Sequence, residues 1–176
     1  MRLFKLLVIS IVIFGSLFFA LSLIFPSTAV VERTGVINAP LDTVYAHIGD
    51  LKAWEQWNPW SRPDTTAKLI FSSPAQGTGA WYSWDGKLNS GKVTIEDSDP
   101  AKGIHYLMDI QRMRPVNGGI ELRRTPDGKG TAILWHMEIK LGLLPWWKLR
   151  GFVSDKIYGP SMDTGLTRLS KICEHI

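Results

Sequence analysis

The sequence predicts an α+β domain in which one antiparallel sheet closes against a long C-terminal helix, with a separate apolar helix ahead of it. Three observations carry this. From Trp146 onward, apolar residues recur at steps of three and four: Leu149, Phe152, Val153 and Ile157, then Met162, Leu166, Leu169 and Cys173. That spacing puts each group on one face of a helix. Between residues 68 and 141 the period changes to two, in short runs divided by turn residues, as in a meander of antiparallel strands. Residues 6–31 carry no charge at all.

The charge-free stretch comes first in the chain. Residues 6–25 match the length a helix needs to cross a bilayer. Two readings stand: a cleaved signal ending at the small-x-small triplet Ser27-Thr28-Ala29, and a retained signal anchor. The apolar core exceeds the about 7–15 residues of a signal peptide, which favours the anchor. Arg2 and Lys5 favour a cytoplasmic N-terminus, placing the remainder of the chain on the extracytoplasmic, periplasmic side of a single-pass membrane protein. The chain thus divides into a transmembrane segment over 1–29 and one globular domain over 30–176, with no room for a second.

Residues 30–37 read as the first strand, ending at Asn38-Ala39-Pro40. Asp42 is placed to cap a helix whose inner face is Val44, Tyr45 and Ile48, and Gly49-Asp50 ends it. A second short helix runs from Leu51 to about Trp57 and meets Pro59. The strand candidates are 68–72, 79–84, 92–96, 104–110, 118–124 and 131–141. Gly77-Thr78-Gly79, Asp85-Gly86, Asp99-Pro100, Asn117-Gly118-Gly119 and Pro126-Asp127-Gly128 supply turns between them. Alternation assigns the faces. Ile104, Tyr106, Met108 and Ile110 share one side with Ile133, Trp135, Met137, Ile139 and Leu141; His105, Asp109, His136, Glu138 and Lys140 take the other. One face is apolar and aromatic, the other solvated.

Composition narrows the function classes. Of 20 Lys and Arg, two precede the first acid and the remainder nearly balance 16 Asp and Glu, so charge gives no case for nucleic acid. The single Cys173 excludes an internal disulfide and a cysteine metal cluster, and its helix position reads as a buried thiol. No metal-ligand spacing, catalytic triad or inward carboxylate pair is present, and no cofactor is expected. His47, His105 and His136 fall on wet faces and His175 is terminal.

The segment Val36-Ile37-Asn38-Ala39-Pro40, a helix, and Trp54-Glu55-Gln56-Trp57-Asn58-Pro59-Trp60-Ser61 resemble the opening of the SRPBCC superfamily, the START-like helix-grip proteins. Gly77-Thr78-Gly79-Ala80-Trp81-Tyr82-Ser83-Trp84-Asp85-Gly86, followed by Ser90-Gly91-Lys92-Val93-Thr94-Ile95, resembles the next hairpin in its polyketide cyclase/dehydrase-like branch. The resemblance covers residues 31–174 and implies a helix-grip fold with a cavity between sheet and C-terminal helix. The fold hosts binders, transporters and enzymes, so it does not assign an activity.

Within that implied cavity, Tyr82, Trp84, Tyr106, Met108, Trp135, Met137 and Phe152 are expected to form the wall, with Trp57 and Trp60 near the mouth. Such a wall suits a hydrophobic small molecule or lipid; any single one of these aromatics would equally fill a solid core, and for the group the cavity is what the resemblance implies. Tyr82, Asp85 and Tyr106 are the candidate proton-handling residues if the domain is instead a cyclase/dehydrase-like enzyme. Asp85 also reads as a turn residue before Gly86, and Asn58 as a holder of its loop. Arg112 and Arg114 at one hairpin end, with Arg123 and Arg124 on the next strand, form either a solvated face or an anionic headgroup site. Leu143, Leu144, Trp146 and Trp147 have the composition of a lid resting on a membrane surface. The reading is therefore a membrane-anchored domain that binds a hydrophobic ligand. A cyclase/dehydrase-like enzyme and a ligand-free interaction domain are the alternatives, and no protein partner is named.

Overall fold

The computed structural model describes residues 1–61, 66–142 and 145–174. An apolar helix α1 (Arg2–Ile24) leads into β1 (Thr28–Ile37). Two short helices come next, α2 (Leu41–Ile48) and α3 (Trp54–Trp57). Then come β2 (Lys68–Phe71), β3 (Trp81–Asp85), β4 (Ser90–Asp99), β5 (Gly103–Ile110), β6 (Val116–Arg124), β7 (Thr131–Lys140) and the long α4 (Pro145–Glu174). Among the described residues the strands form one seven-stranded antiparallel sheet in the order β1-β7-β6-β5-β4-β3-β2. The first strand therefore pairs with the last, Thr28 opposite Lys140 and Ile37 opposite Thr131. Helix α2 begins at Leu41 behind Pro40 with no side-chain cap, so Asp42 sits in its first turn rather than capping it. The Pro40 carbonyl instead accepts the N–H groups of Thr43 and Val44, at 3.0 and 3.2 Å, so the first turn closes on backbone alone.

The strand faces obey the alternation. Ile104, Tyr106, Met108, Ile120, Leu122, Ile133, Trp135 and Met137 are buried, and His105 is exposed. The second half of α4 closes this face: Met162, Leu169 and Cys173 join the core, and Leu166 packs against it half-buried. Gly165 lets the helix approach the Trp135 ring, which a Cβ there would meet at 2.8 Å.

The first half of α4 departs from the helical stripe expected to be buried. Leu149, Phe152, Val153 and Ile157 all point outward, 57, 65, 43 and 56 % exposed. The side resting on β1 carries instead Lys148, Ser154 and Gly159, all buried, and half-buried Gly151 and Tyr158. The reason lies on β1, whose inward register places Arg33 under this half of the helix. Arg33 Nη1 donates to Asp155 Oδ1 at 2.7 Å and its Nε lies 3.0 Å from Asp163 Oδ1. A Cβ on Gly159 would collide with that guanidinium. A polar, small-residue seat fits an arginine; an apolar stripe does not.

Candidate functional site

The inward aromatic residues converge on one group. Trp54 stands edge-on to both Tyr82, with ring centroids 6.3 Å apart, and Tyr106, at 5.2 Å. Trp135 stands edge-on to Trp57 at 5.5 Å and to Trp60 at 5.3 Å. Tyr82 also lies against Trp84 and Phe71. Met108 and Met137 are buried on the neighbouring strands, and Trp60 alone among the wall residues brought together is half-buried. Each ring has a local cause. Tyr106 lies over Gly118 of the adjacent strand, where a Cβ would collide with the ring. The α2–α3 segment holds its tryptophans by their indole N–H groups, Trp54 Nε1 to the Ile48 carbonyl at 2.8 Å and Trp57 Nε1 to the His47 carbonyl at 3.1 Å.

Polar groups inside this cluster are few, and two lack partners. Trp135 Nε1 donates to Tyr106 Oη at 2.9 Å, and Trp84 Nε1 to Asn89 Oδ1 at 2.7 Å. Asn58 Oδ1 accepts the Trp60 N–H at 2.9 Å, which fixes the loop. Tyr82 Oη and Asn58 Nδ2 are buried with no hydrogen-bond partner among the described residues. Buried polar atoms are nearly always paired, so each such orphan marks a place where something else can bond. Burial pushes the Tyr82 phenol well up, helped by charge on Tyr106 and Glu55. Burial also raises the Tyr106 phenol, opposed by the indole bond from Trp135. Both phenols are therefore protonated at neutral pH. They are hydrogen-bond donors aimed into an apolar setting, suited to holding a carbonyl or hydroxyl oxygen and poor as bases.

The remaining sequence candidates separate from this group. Asp85 is exposed on the opposite side of β3 and accepts from Ser90 Oγ at 2.6 Å, as a turn carboxylate does; strand parity turns it away from Tyr82. Phe152, expected in the wall, lies edge-on to Phe25 at 5.8 Å on the outside of α4. Arg112 and Arg114 sit in the β5–β6 turn while Arg123 and Arg124 lie at the far end of β6, so the four do not meet. His105 and His136 face outward, rings 5.8 Å apart. Trp146 and Trp147 are 56 and 41 % exposed at the start of α4; Leu143, Leu144 and His175 lie outside the described residues. Burial pushes the Cys173 thiol up to about 11, aided by Glu174. Arg33 and Lys148 gave no signal in the sequence, because both read as ordinary surface cations until the fold covers them.

Comparison with known proteins agrees with this architecture. The Zhui aromatase/cyclase from Streptomyces sp. R1128 superposes with a TM-score of 0.60 at 17 % identity, over 84 % of this chain and 94 % of that one. Truncated norcoclaurine synthase from Thalictrum flavum gives 0.60 at 14 % identity, over 82 and 92 %. A Staphylococcus aureus protein of unknown function gives 0.64 at 12 %, over 84 and 94 %. At such identities these likenesses concern the fold. No curated protein sequence matches the chain. Residues 28–174, from the first strand to the last turn of α4, match the family model described as polyketide cyclase/dehydrase and lipid transport, and the chain belongs to that family within the SRPBCC superfamily.

Proposed function

We propose that this protein is a membrane-anchored binding domain for a hydrophobic small molecule or lipid, held between the aromatic sheet face and α4. The observation that carries the reading is the pair of buried, partnerless polar atoms, Tyr82 Oη and Asn58 Nδ2, among rings that offer little else to bond. A ligand with an apolar body and oxygen acceptors would pair with them. Tyr82, Trp84, Tyr106 and Trp135 form its wall with Trp57, which is fully buried and not at a mouth as its sequence position suggested, and half-buried Trp60 is on the side nearer solvent. Helix α1 carries no charge past Lys5, has no side chain buried over its spanning window, and serves as the anchor. Its N-terminus is cytoplasmic and the domain stands on the other side. Native mass spectrometry of the full chain, purified in mild detergent from its own membrane, tests the reading. A co-purified lipid or aromatic metabolite that is lost on Tyr82→Phe supports it; an empty protein that binds no added fatty acid or polycyclic phenol refutes it.

A second reading keeps the same wall but adds catalysis of the cyclase/dehydrase kind, favoured by the two phenols sharing Trp54. Protonated phenols there would polarise a carbonyl. That reading requires turnover that falls on Tyr106→Phe, and binding without turnover excludes it.

A further inference from the structure

The outward side of α4 is an apolar stripe that the described residues leave largely exposed, with Phe25 standing against it at Phe152. Trp146, Leu149, Val153 and Ile157 succeed one another at intervals of three, four and four, with Phe152 beside them, and all are 43 to 65 % exposed. This is not a soluble helix turned the wrong way round, since the opposite side is fully used in seating α4 on β1 through Arg33 and the small residues. Exposed apolar surface that is contiguous rather than scattered marks a contact with another apolar phase.

The position of α1 says which phase. Only Phe25, Pro26 and Ser27 separate the end of α1 from the start of β1. That junction is fastened to the first turns of α4: the Phe25 ring meets Phe152, and Lys148 Nζ donates to the Phe25 carbonyl at 2.7 Å. This carbonyl lies just past the C-terminal end of α1, where helix carbonyls lack partners and a cation is favoured. The stripe starts at this fastening and runs about 16 Å along the helix axis, at 1.5 Å per residue. A hollow of about 240 Å³ at the junction, lined by Phe25, Leu141, Lys148, Gly151 and Phe152, continues the apolar surface. It has room for part of an acyl chain. Trp146 and Trp147 lead the stripe, and tryptophan favours the headgroup level; exposed Lys156 on its flank can reach lipid phosphates.

Taking α1 as the membrane span proposed above, we infer that the outward stripe of α4, from Trp146 to Ile157, lies in the headgroup region of the bilayer that α1 crosses. The domain is then held against the membrane at two places and in one orientation. The occupant of the stripe is lipid, and a second copy of the chain is the competing outcome. The test uses the full chain with Cys173→Ala, reconstituted in vesicles of phosphatidylcholine and phosphatidylglycerol. Single cysteines, Val153→Cys, Ile13→Cys within α1 and Lys129→Cys in the exposed β6–β7 turn at the opposite end of the sheet from the α1 junction, carry an environment-sensitive fluorophore, and a lipid-borne nitroxide serves as quencher. Quenching at 153 comparable to that at 13, and several-fold above that at 129, is expected. Strong quenching at 13 with 153 no different from 129 overturns the inference and leaves the anchor standing. No quenching at 13 overturns the anchor, and the inference with it. Shielding of 153 from the quencher, together with cross-linking between copies at that position, assigns the stripe to a second copy and also overturns it.

Discussion

Tyr82→Phe removes one oxygen from the centre of the core and leaves the ring in place. In the ligand-free protein that oxygen is buried without a partner, an arrangement that costs about 1–3 kcal/mol. Its removal is therefore expected to stabilise the empty domain by about 1 kcal/mol or more. Tyr106→Phe is the same chemical change two strands along the sheet, with the opposite sign. The Tyr106 oxygen accepts the Trp135 indole N–H at 2.9 Å, and both residues are buried. Its loss strands that N–H at a cost of about 1–3 kcal/mol. For a domain of this size each kcal/mol moves the melting temperature by about 2–4 °C. The two variants should thus bracket the parent protein from either side. The assay is thermal unfolding of the delipidated full chain in detergent, monitored by tryptophan fluorescence. With ligand bound the order changes, because the Tyr82 hydroxyl then has its partner and Tyr82→Phe loses part of the ligand-induced rise. If Tyr82→Phe lowers the melting temperature of the empty protein as Tyr106→Phe does, the hydroxyl is already paired, and the argument for a ligand handle fails.

Gly118→Ala drives a methyl group into the Tyr106 ring, which has no room to yield in the packed cluster. It should destabilise by about 1–3 kcal/mol, measured by urea unfolding, and abolish ligand retention. The hydrogen bond from Arg33 holds the Asp155 carboxyl below its ordinary range, burial opposing. A depressed carboxyl stabilises the fold above its unfolded value of about 4 and loses that contribution as pH falls through the lower folded value. Hydrogen exchange in residues 151–158 should accordingly accelerate on acidification below about pH 4 relative to the sheet, and Arg33→Gln should remove that difference. Cys173, buried and raised to about 11, should resist maleimide at neutral pH in the folded protein and react after denaturation, as intact mass will report.

Much of the fold was legible because its signals are local. Period two in residues 104–110 and 131–141 sorts side chains to one face or the other whatever the strand pairs with. Tyr106, Met108, Trp135 and Met137 could therefore be placed inward, and His105 outward, from sequence. Asp-Gly and Pro-Asp-Gly turns ended the strands where their chemistry required. The same parity that put Tyr82 inside turns Asp85 outside, although its place beside Trp84 had suggested a shared site.

By itself the sequence determined which surfaces are apolar: the charge-free N-terminal segment, the aromatic strand faces and both stripes of α4. Only the tertiary structure decided which of them the domain itself covers. A helical period reports that a face is apolar, and it is silent on whether protein or lipid lies against it. The pairing of β1 with β7 brings Arg33 beneath the first half of α4, across more than a hundred residues of chain. A guanidinium there calls for carboxylates and small side chains opposite it. The helix therefore presents Asp155, Asp163 and Gly159 to the sheet, and turns Leu149, Val153 and Ile157 outward.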